Sequence, residues 1–223
     1  KEEDLIWCGT AAHGLIQYSR SKHSFANLNS IIVKNNNESN LYYSLYKKDN
    51  TLLAGTDNGL YSINLLNDEA EKLQLNTNGS NRSIQEIFED SEGNLWIGSS
   101  DGLFLRKKGS TIFTVFDIPK NSLLQSPSVF AINEDPYKNI WIGTNEYLAS
   151  IQNNKIEKID SVKINNKNST IGTVSTIVFD EDKSMWLGTT KGILIKKDNN
   201  FKRLNYEYGN KKGLNDNLIN DIY

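Results

Sequence analysis

The chain carries one cysteine and two histidines among its 223 residues. A single thiol makes no intramolecular disulfide and no zinc cage, and two imidazoles leave little for a metal site or histidine-centred catalysis. Cys8 therefore reads as a small buried hydrophobe. Any excess of one charge is also lacking: 25 Lys and Arg stand against 27 Asp and Glu, a net charge of -2, so no basic field gathers nucleic acid or anionic lipid. No apolar run approaches the roughly 18 residues of a spanning helix. The charged opening Lys1 to Asp4 is not a signal peptide. The segment is expected to be soluble, not membrane-embedded, with no nucleic-acid partner, no metal and no cofactor.

What the sequence does have is a period. Trp7-Cys8-Gly9-Thr10, Leu53-Ala54-Gly55-Thr56, Trp96-Ile97-Gly98-Ser99, Trp141-Ile142-Gly143-Thr144 and Trp186-Leu187-Gly188-Thr189 are five copies of one segment. Their glycines, Gly9, Gly55, Gly98, Gly143 and Gly188, are spaced 46, 43, 45 and 45 residues apart. A second glycine with an aliphatic follows in four copies, at Gly14-Leu15, Gly59-Leu60, Gly102-Leu103 and Gly192-Ile193. The fourth copy departs, reading Asn145-Glu146-Tyr147-Leu148.

Within a period the elements read as short strands, and no helical window longer than two turns competes with them. Segments 84–88, 95–99, 103–106 and 111–116 are rich in β-branched and aromatic residues and bounded by Gly, Asn, Asp or Ser. An acidic turn separates the first two, as in Glu89 to Asn94 and Asp180 to Ser184. Such residues bond their own backbone and suit turns. A calcium loop is the sharper reading, but no copy has the alternating ligands and distal Glu of an EF-hand. Four short strands per copy of about 45 residues is the signature of a β-propeller, an all-β fold of four-stranded antiparallel blades, and residues 1–223 form a single such domain or a fragment of one. The Trp set, with Leu60, Leu103, Leu148 and Ile193, belongs to inter-blade core, and the five repeated glycines mark a bulge or a close backbone approach.

Asp90-Ser91-Glu92-Gly93-Asn94-Leu95-Trp96-Ile97-Gly98-Ser99-Ser100-Asp101-Gly102-Leu103 resembles the repeat of the two-component regulator propeller family, as does Gly213 to Ile219 ahead of the next innermost strand. The resemblance extends over five copies. It implies the periplasmic ligand-sensing region of a Bacteroidetes hybrid two-component histidine kinase, carried by a membrane-anchored full-length protein and responding to polysaccharide fragments. The kinase part is not among these residues, so the resemblance implies a non-catalytic domain. His13 and His23 lie in no helical kinase motif and are not phosphoacceptors on this reading. Leu53 in place of Trp and the lost glycine of the fourth copy are departures from the pattern.

Joining the ends keeps the period: Leu218 to Tyr223 followed by Lys1 to Trp7 parallels Ser83 to Trp96, with a glycine spacing of 44 across the seam. Two accounts fit. In one, five blades close a ring whose last strand is the inner strand of the first blade; in the other, five repeats form part of a larger, seven-bladed ring, with a homodimer one way of supplying the missing wall.

With strands ordered A to D outward, the B-to-C and D-to-A connections share one end of the propeller. Binding residues concentrate in loops on a rigid scaffold, and the D-to-A loops are long: 35–40, 76–82, 117–126, 163–170 and 209–216. The expected site there comprises Tyr147, Asn145, Asn58, Asp101, Arg82 and Lys191, with Lys120 near the same mouth. Asn offers a donor and an acceptor together, matching sugar hydroxyls, and an exposed Tyr stacks on a pyranose. The expected ligand is a carbohydrate or other small polar molecule. A protein-interaction platform is the alternative. A propeller glycosidase or lyase stands third, since Asp57, Asp101 and Glu146 all fall on B-to-C turns.

Overall fold

A computed structural model describes residues 5–10, 14–27, 41–75, 82–118, 127–198, 200–206, 214 and 216–222. Four sheets are antiparallel meanders of four strands. The first contains β4 (Tyr42–Lys48), β5 (Thr51–Thr56), β6 (Gly59–Asn64) and β7 (Glu69–Leu73). The next contains β8 (Ile84–Glu89), β9 (Leu95–Ser99), β10 (Gly102–Arg106) and β11 (Thr114–Phe116). It is followed by β12 (Val129–Glu134), β13 (Ile140–Thr144), β14 (Leu148–Gln152) and β15 (Lys155–Ile159), and then by β18 (Val174–Phe179), β19 (Met185–Thr189), β20 (Gly192–Lys197) and β21 (Asn200–Leu204). Ahead of them β1 (Leu5–Gly9), β2 (Leu15–Ser19) and β3 (Ser24–Asn27) make a three-stranded sheet. Residues 163–170, expected as a loop, belong instead to a hairpin of β16 (Ser161–Ile164) and β17 (Lys167–Thr170). Asn165 and Asn166 turn it with φ of 49° and 63°, the left-handed pair a two-residue hairpin requires.

The repeat motif occupies one face of each sheet. Trp96 pairs with Leu105 and Gly98 with Leu103, so the period of two along each strand places Trp96 and Leu103 together, against the following sheet. They join a core with Ile132, Ile142 and Tyr147. Trp141 and Leu148 do the same one sheet on, with Val174 and Ile177, and Leu53 and Leu60 pack with Ile84, Ile87 and Phe113. Ile193, expected in such a core, is half-buried, as is Trp186. Both lie on the face of the β18–β21 sheet that, among the described residues, packs against none of the other four-stranded sheets. Cys8 departs from expectation in the same way: it is exposed, since β1 turns it to the face of the first sheet opposite Trp7.

The five glycines mark a close approach. A Cβ on Gly9 would lie 2.7 Å from Cβ of Tyr42, one on Gly55 2.8 Å from Ile84, one on Gly98 2.8 Å from the Val129 carbonyl and one on Gly143 2.6 Å from Val174. Each glycine thus receives the first residue of the next inner strand. Four inner strands carry a bulge at that point, between Tyr42 and Ser44, Ile84 and Glu86, Val129 and Ala131, and Val174 and Thr176. Both readings of the glycines, bulge and close approach, are realised together.

The C-terminal segment follows the same rule. A Cβ on Gly188 would meet Ile219 at 2.9 Å, and Ile219 N–H donates to the Thr189 carbonyl at 3.1 Å as Tyr42 N–H does to Thr10 at 3.3 Å. Residues 216–222 therefore stand where an inner strand stands. Among the described residues they form no ladder with β1, and the first sheet keeps three strands.

The acidic turns are locked by the tryptophans. Asp90 accepts from the backbone N–H of Glu92 and Asn94 and from the Trp96 indole. Asp135 accepts from Tyr137, Asn139 and Trp141, and Asp180 from Ser184 and Trp186. With their oxygens committed to N–H donors, these carboxylates are turn anchors. Among the described residues no cluster of three metal-ligating side chains occurs.

Candidate functional site

The B-to-C turns are built by the hydroxyl residue that ends the motif. Thr56 Oγ1 donates to the Gly59 carbonyl at 2.9 Å and accepts from Asn58 N–H at 3.1 Å; Ser99 and Thr189 repeat the arrangement with Asp101 and Lys191. These hydroxyls are fully buried and fix the turn, so the side chain at its tip is held outward on a rigid base. The tips are Asn58, Asp101, Glu146 and Lys191.

The tips make specific contacts with neighbouring strands and loops. Arg82 Nε donates to Asp101 Oδ2 at 2.7 Å while its guanidinium lies 5.5 Å from the centre of the Phe104 ring. Lys72 Nζ donates to Asn58 Oδ1 at 3.3 Å, and burial holds that ammonium below its usual range. Asn145 Oδ1 accepts from Ser128 N–H at 3.0 Å. Lys191 Nζ donates to Thr170 Oγ1 of the β16–β17 hairpin, and Arg203 binds the same hairpin through Ser169 Oγ at 3.1 Å and the Thr170 carbonyl at 2.8 Å. The expected residues Asn58, Asp101, Arg82, Asn145 and Lys191 thus all sit on turns at one end of the sheets, each held by a named neighbour. Asp101 is an ion-pair partner rather than half of a carboxylate pair.

Tyr147 does not join them. Its side chain is fully buried and packs with Trp96, Leu103 and Ile142, with Lys158 Nζ 4.7 Å from the ring centre. It occupies the glycine place of the turn without a positive φ, and Thr144 Oγ1 still closes that turn by donating to its carbonyl at 2.8 Å. Burial first, then the charges of Glu146 and Asp160, push its hydroxyl well above the usual tyrosine range. No face of this ring is offered for sugar stacking. His13, Lys120 and loop segments 35–40, 76–81, 119–126 and 209–213 lie outside the described residues.

Among the described residues, two clefts lie at the opposite end, where the A-to-B and C-to-D turns are. One, of about 520 Å³, is between the β4–β7 and β8–β11 sheets; the other, of about 310 Å³, is between the β8–β11 and β12–β15 sheets. The larger is floored by Leu53, the position where the repeat has lost its tryptophan.

Residues 78–101 and 123–146 match the profile of the two-component regulator propeller family. No curated protein sequence matches the chain. Among solved structures, the extracellular domain of a hybrid two-component system of B. thetaiotaomicron superposes with a TM-score of 0.79 at 19% identity, covering 99% of this chain and 29% of that one. A second such domain from B. thetaiotaomicron gives 0.67 at 22% identity, over 83% of this chain and 24% of that one. Virginiamycin B lyase from Staphylococcus aureus, solved with quinupristin, gives 0.57 at 17% identity, over 75% and 56%. The chain spans less than a third of the two B. thetaiotaomicron structures. At these identities the likeness is one of fold, and the fold serves two-component systems and a lyase alike.

Proposed function

We propose, on the premise that these are two-component regulator propeller repeats, that the chain belongs to the extracytoplasmic sensing region of a membrane-anchored two-component regulatory protein. In this reading it is periplasmic and non-catalytic: it binds a carbohydrate or other small polar ligand and passes occupancy to an output domain elsewhere in the protein. The observation that carries the reading is the family match at 78–101 and 123–146. The ring of held polar tips, Asn58, Asp101 with Arg82, Asn145 and Lys191, supports placing the ligand at that end, since paired donors and acceptors on rigid turns suit hydroxylated ligands.

Calorimetry of the chain against a panel of glycan oligosaccharides tests the reading. Binding that is weakened by Asp101→Ala and Asn145→Ala supports it, and failure with every sugar class alongside binding of a peptide moves the function to protein interaction. The number of blades belongs to the same reading. Residues 216–222 at an inner-strand place fit either pairing with β1 in a closed five-bladed ring or membership of a larger ring, and small-angle scattering separates a closed ring from an open arc or a dimer.

A further inference from the structure

The cleft over Leu53 goes beyond that reading, because it lies at the other end of the propeller and depends on none of the turn tips. Its origin is a row of side chains across one sheet. Tyr46 pairs with Leu53, Leu53 with Ser62 and Ser62 with Glu71, so the four share the face turned to the β8–β11 sheet. One sheet on, the matching row is Phe88, Trp96, Leu105 and Thr114, and Trp96 lies edge-on to Phe116 with ring centres 5.1 Å apart. An indole and a leucine, Trp96 and Leu105, fill the middle of that row. In the Leu53 row a leucine and a serine stand there instead, and the space left is about 520 Å³ against about 310 Å³ beside Trp96. That volume lies within the range of roughly 300–1,000 Å³ of small-molecule sites.

The missing tryptophan goes with a missing clamp. The A-to-B turn of this sheet is only Asp49 and Asn50, too short to place an Asx acceptor like Asp90. Lys48 reaches across instead, donating to both oxygens of Glu89 at 2.7 and 2.8 Å, while the Tyr46 hydroxyl donates to Glu89 Oε2 at 2.7 Å. Glu89 is thereby satisfied by the protein. Across the cleft the end of β10 and the turn after it contribute Arg106, Lys107 and Lys108 to the lining. Arg106 lies 5.1 Å from the Phe113 ring centre and among the described residues forms no ion pair. The lining therefore combines an apolar floor, a hydroxyl and a stacked guanidinium with donors to spare.

We propose that this cleft binds a small ring-bearing carboxylate, its ring over Leu53 and Ser62 between Tyr46 and Leu73 and its carboxylate at Arg106. Sugar acids and aromatic acids share that chemistry, and separate probes distinguish them.

Calorimetry of the 223-residue chain with D-glucuronate, benzoate and neutral D-glucose is the test. One or both acids bind and glucose does not; glucuronate alone marks a sugar-acid site, benzoate alone an aromatic-acid site. Leu53→Phe, which returns a ring to the row without adding an N–H, and Ser62→Leu each abolish binding in a protein whose circular dichroism is unchanged. Arg106→Gln weakens it by about tenfold, the loss of one charged hydrogen bond. Should Leu53→Phe fail to fold, Ser62→Leu carries the steric test. No binding of either acid at about 10 mM, well above the roughly millimolar affinity of a weak site, overturns the proposal, as does binding that survives both cleft-filling variants or equal binding of glucose.

Discussion

The indole nitrogen of Trp96 stands 2.8 Å from Oδ2 of Asp90, with both side chains out of solvent. The bond joins inter-blade core to acidic turn, so one residue of the motif determines the conformation of a segment six residues away. Removing the acceptor strands a buried donor, which costs about 1–3 kcal/mol, and also frees the turn's N–H groups. Asp90→Ala is expected to lower stability by about 3 kcal/mol in urea unfolding. Asp180→Ala, whose partner Trp186 is half-buried, loses less.

Gly98→Ala is expected to destabilise by about 2–3 kcal/mol, as overpacking does, because the new methyl would lie 2.8 Å from a backbone carbonyl of the next sheet. Gly109→Ala is its control. Nothing lies within 4 Å of that Cβ, and the cost comes only from its φ of +79°, about 1 kcal/mol. Thermal unfolding of the two variants side by side checks the ordering.

Glu86 titrates in the neutral range. Burial pushes its carboxyl from 4.5 up to about 7, opposed by the Ile87 backbone N–H and aided by the charge of Asp221. A carboxyl raised by folding stabilises the protein in its protonated form. Stability from this group is therefore present below about 4.5, falls as pH rises from there to about 7, and stays low above. Glu86→Gln should remove that slope and gain about 1–2 kcal/mol at pH 8, after allowance for partial solvent exposure. Urea midpoints at pH 5 and pH 8 for both proteins measure it.

Tyr147→Ala is expected to lose about 3–5 kcal/mol, the cost of emptying a buried aromatic site. Asn145→Ala, on the exposed neighbouring turn, should stay within about 1 kcal/mol of the parent. If ligand binding at the turn tips is then measured, Tyr147→Phe should bind as the parent does, because its ring contacts core and not the mouth.

The blades were legible because the repeat reports its own faces: Trp, glycine and the later aliphatic recur at spacings that two-residue alternation places on one side. The D strand of the third copy, expected over 111–116, is three residues too long at its start, since β11 begins at Thr114: Ser110 Oγ turns the chain by accepting from Ile112 N–H and Phe113 drops into the core. Tyr147 was misread from its place in the turn. Its alternation with Ala149 and Ile151, which share its core cluster, was the signal that it faces inward. Asn165 and Asn166, inside a loop expected on the binding face, are hairpin residues instead, with φ of 49° and 63°. The cleft was marked by a single exception, Leu53, but its depth depends on Ser62 across the strand and on a shortened turn, which only pairing register reveals.

Four of the five glycines, Gly9, Gly55, Gly98 and Gly143, receive the opening residue of the following inner strand against bare backbone, and Gly188 receives Ile219 of the C-terminal segment. The contact asks almost nothing of that residue, which is Tyr42, Ile84, Val129, Val174 or Ile219 in turn. A joint of this kind tolerates drift on one side so long as its partner stays without a side chain. Copies can then diverge one at a time, and a copy freed from matching its siblings, as the one around Leu53 has been, is free to acquire a task the others do not share.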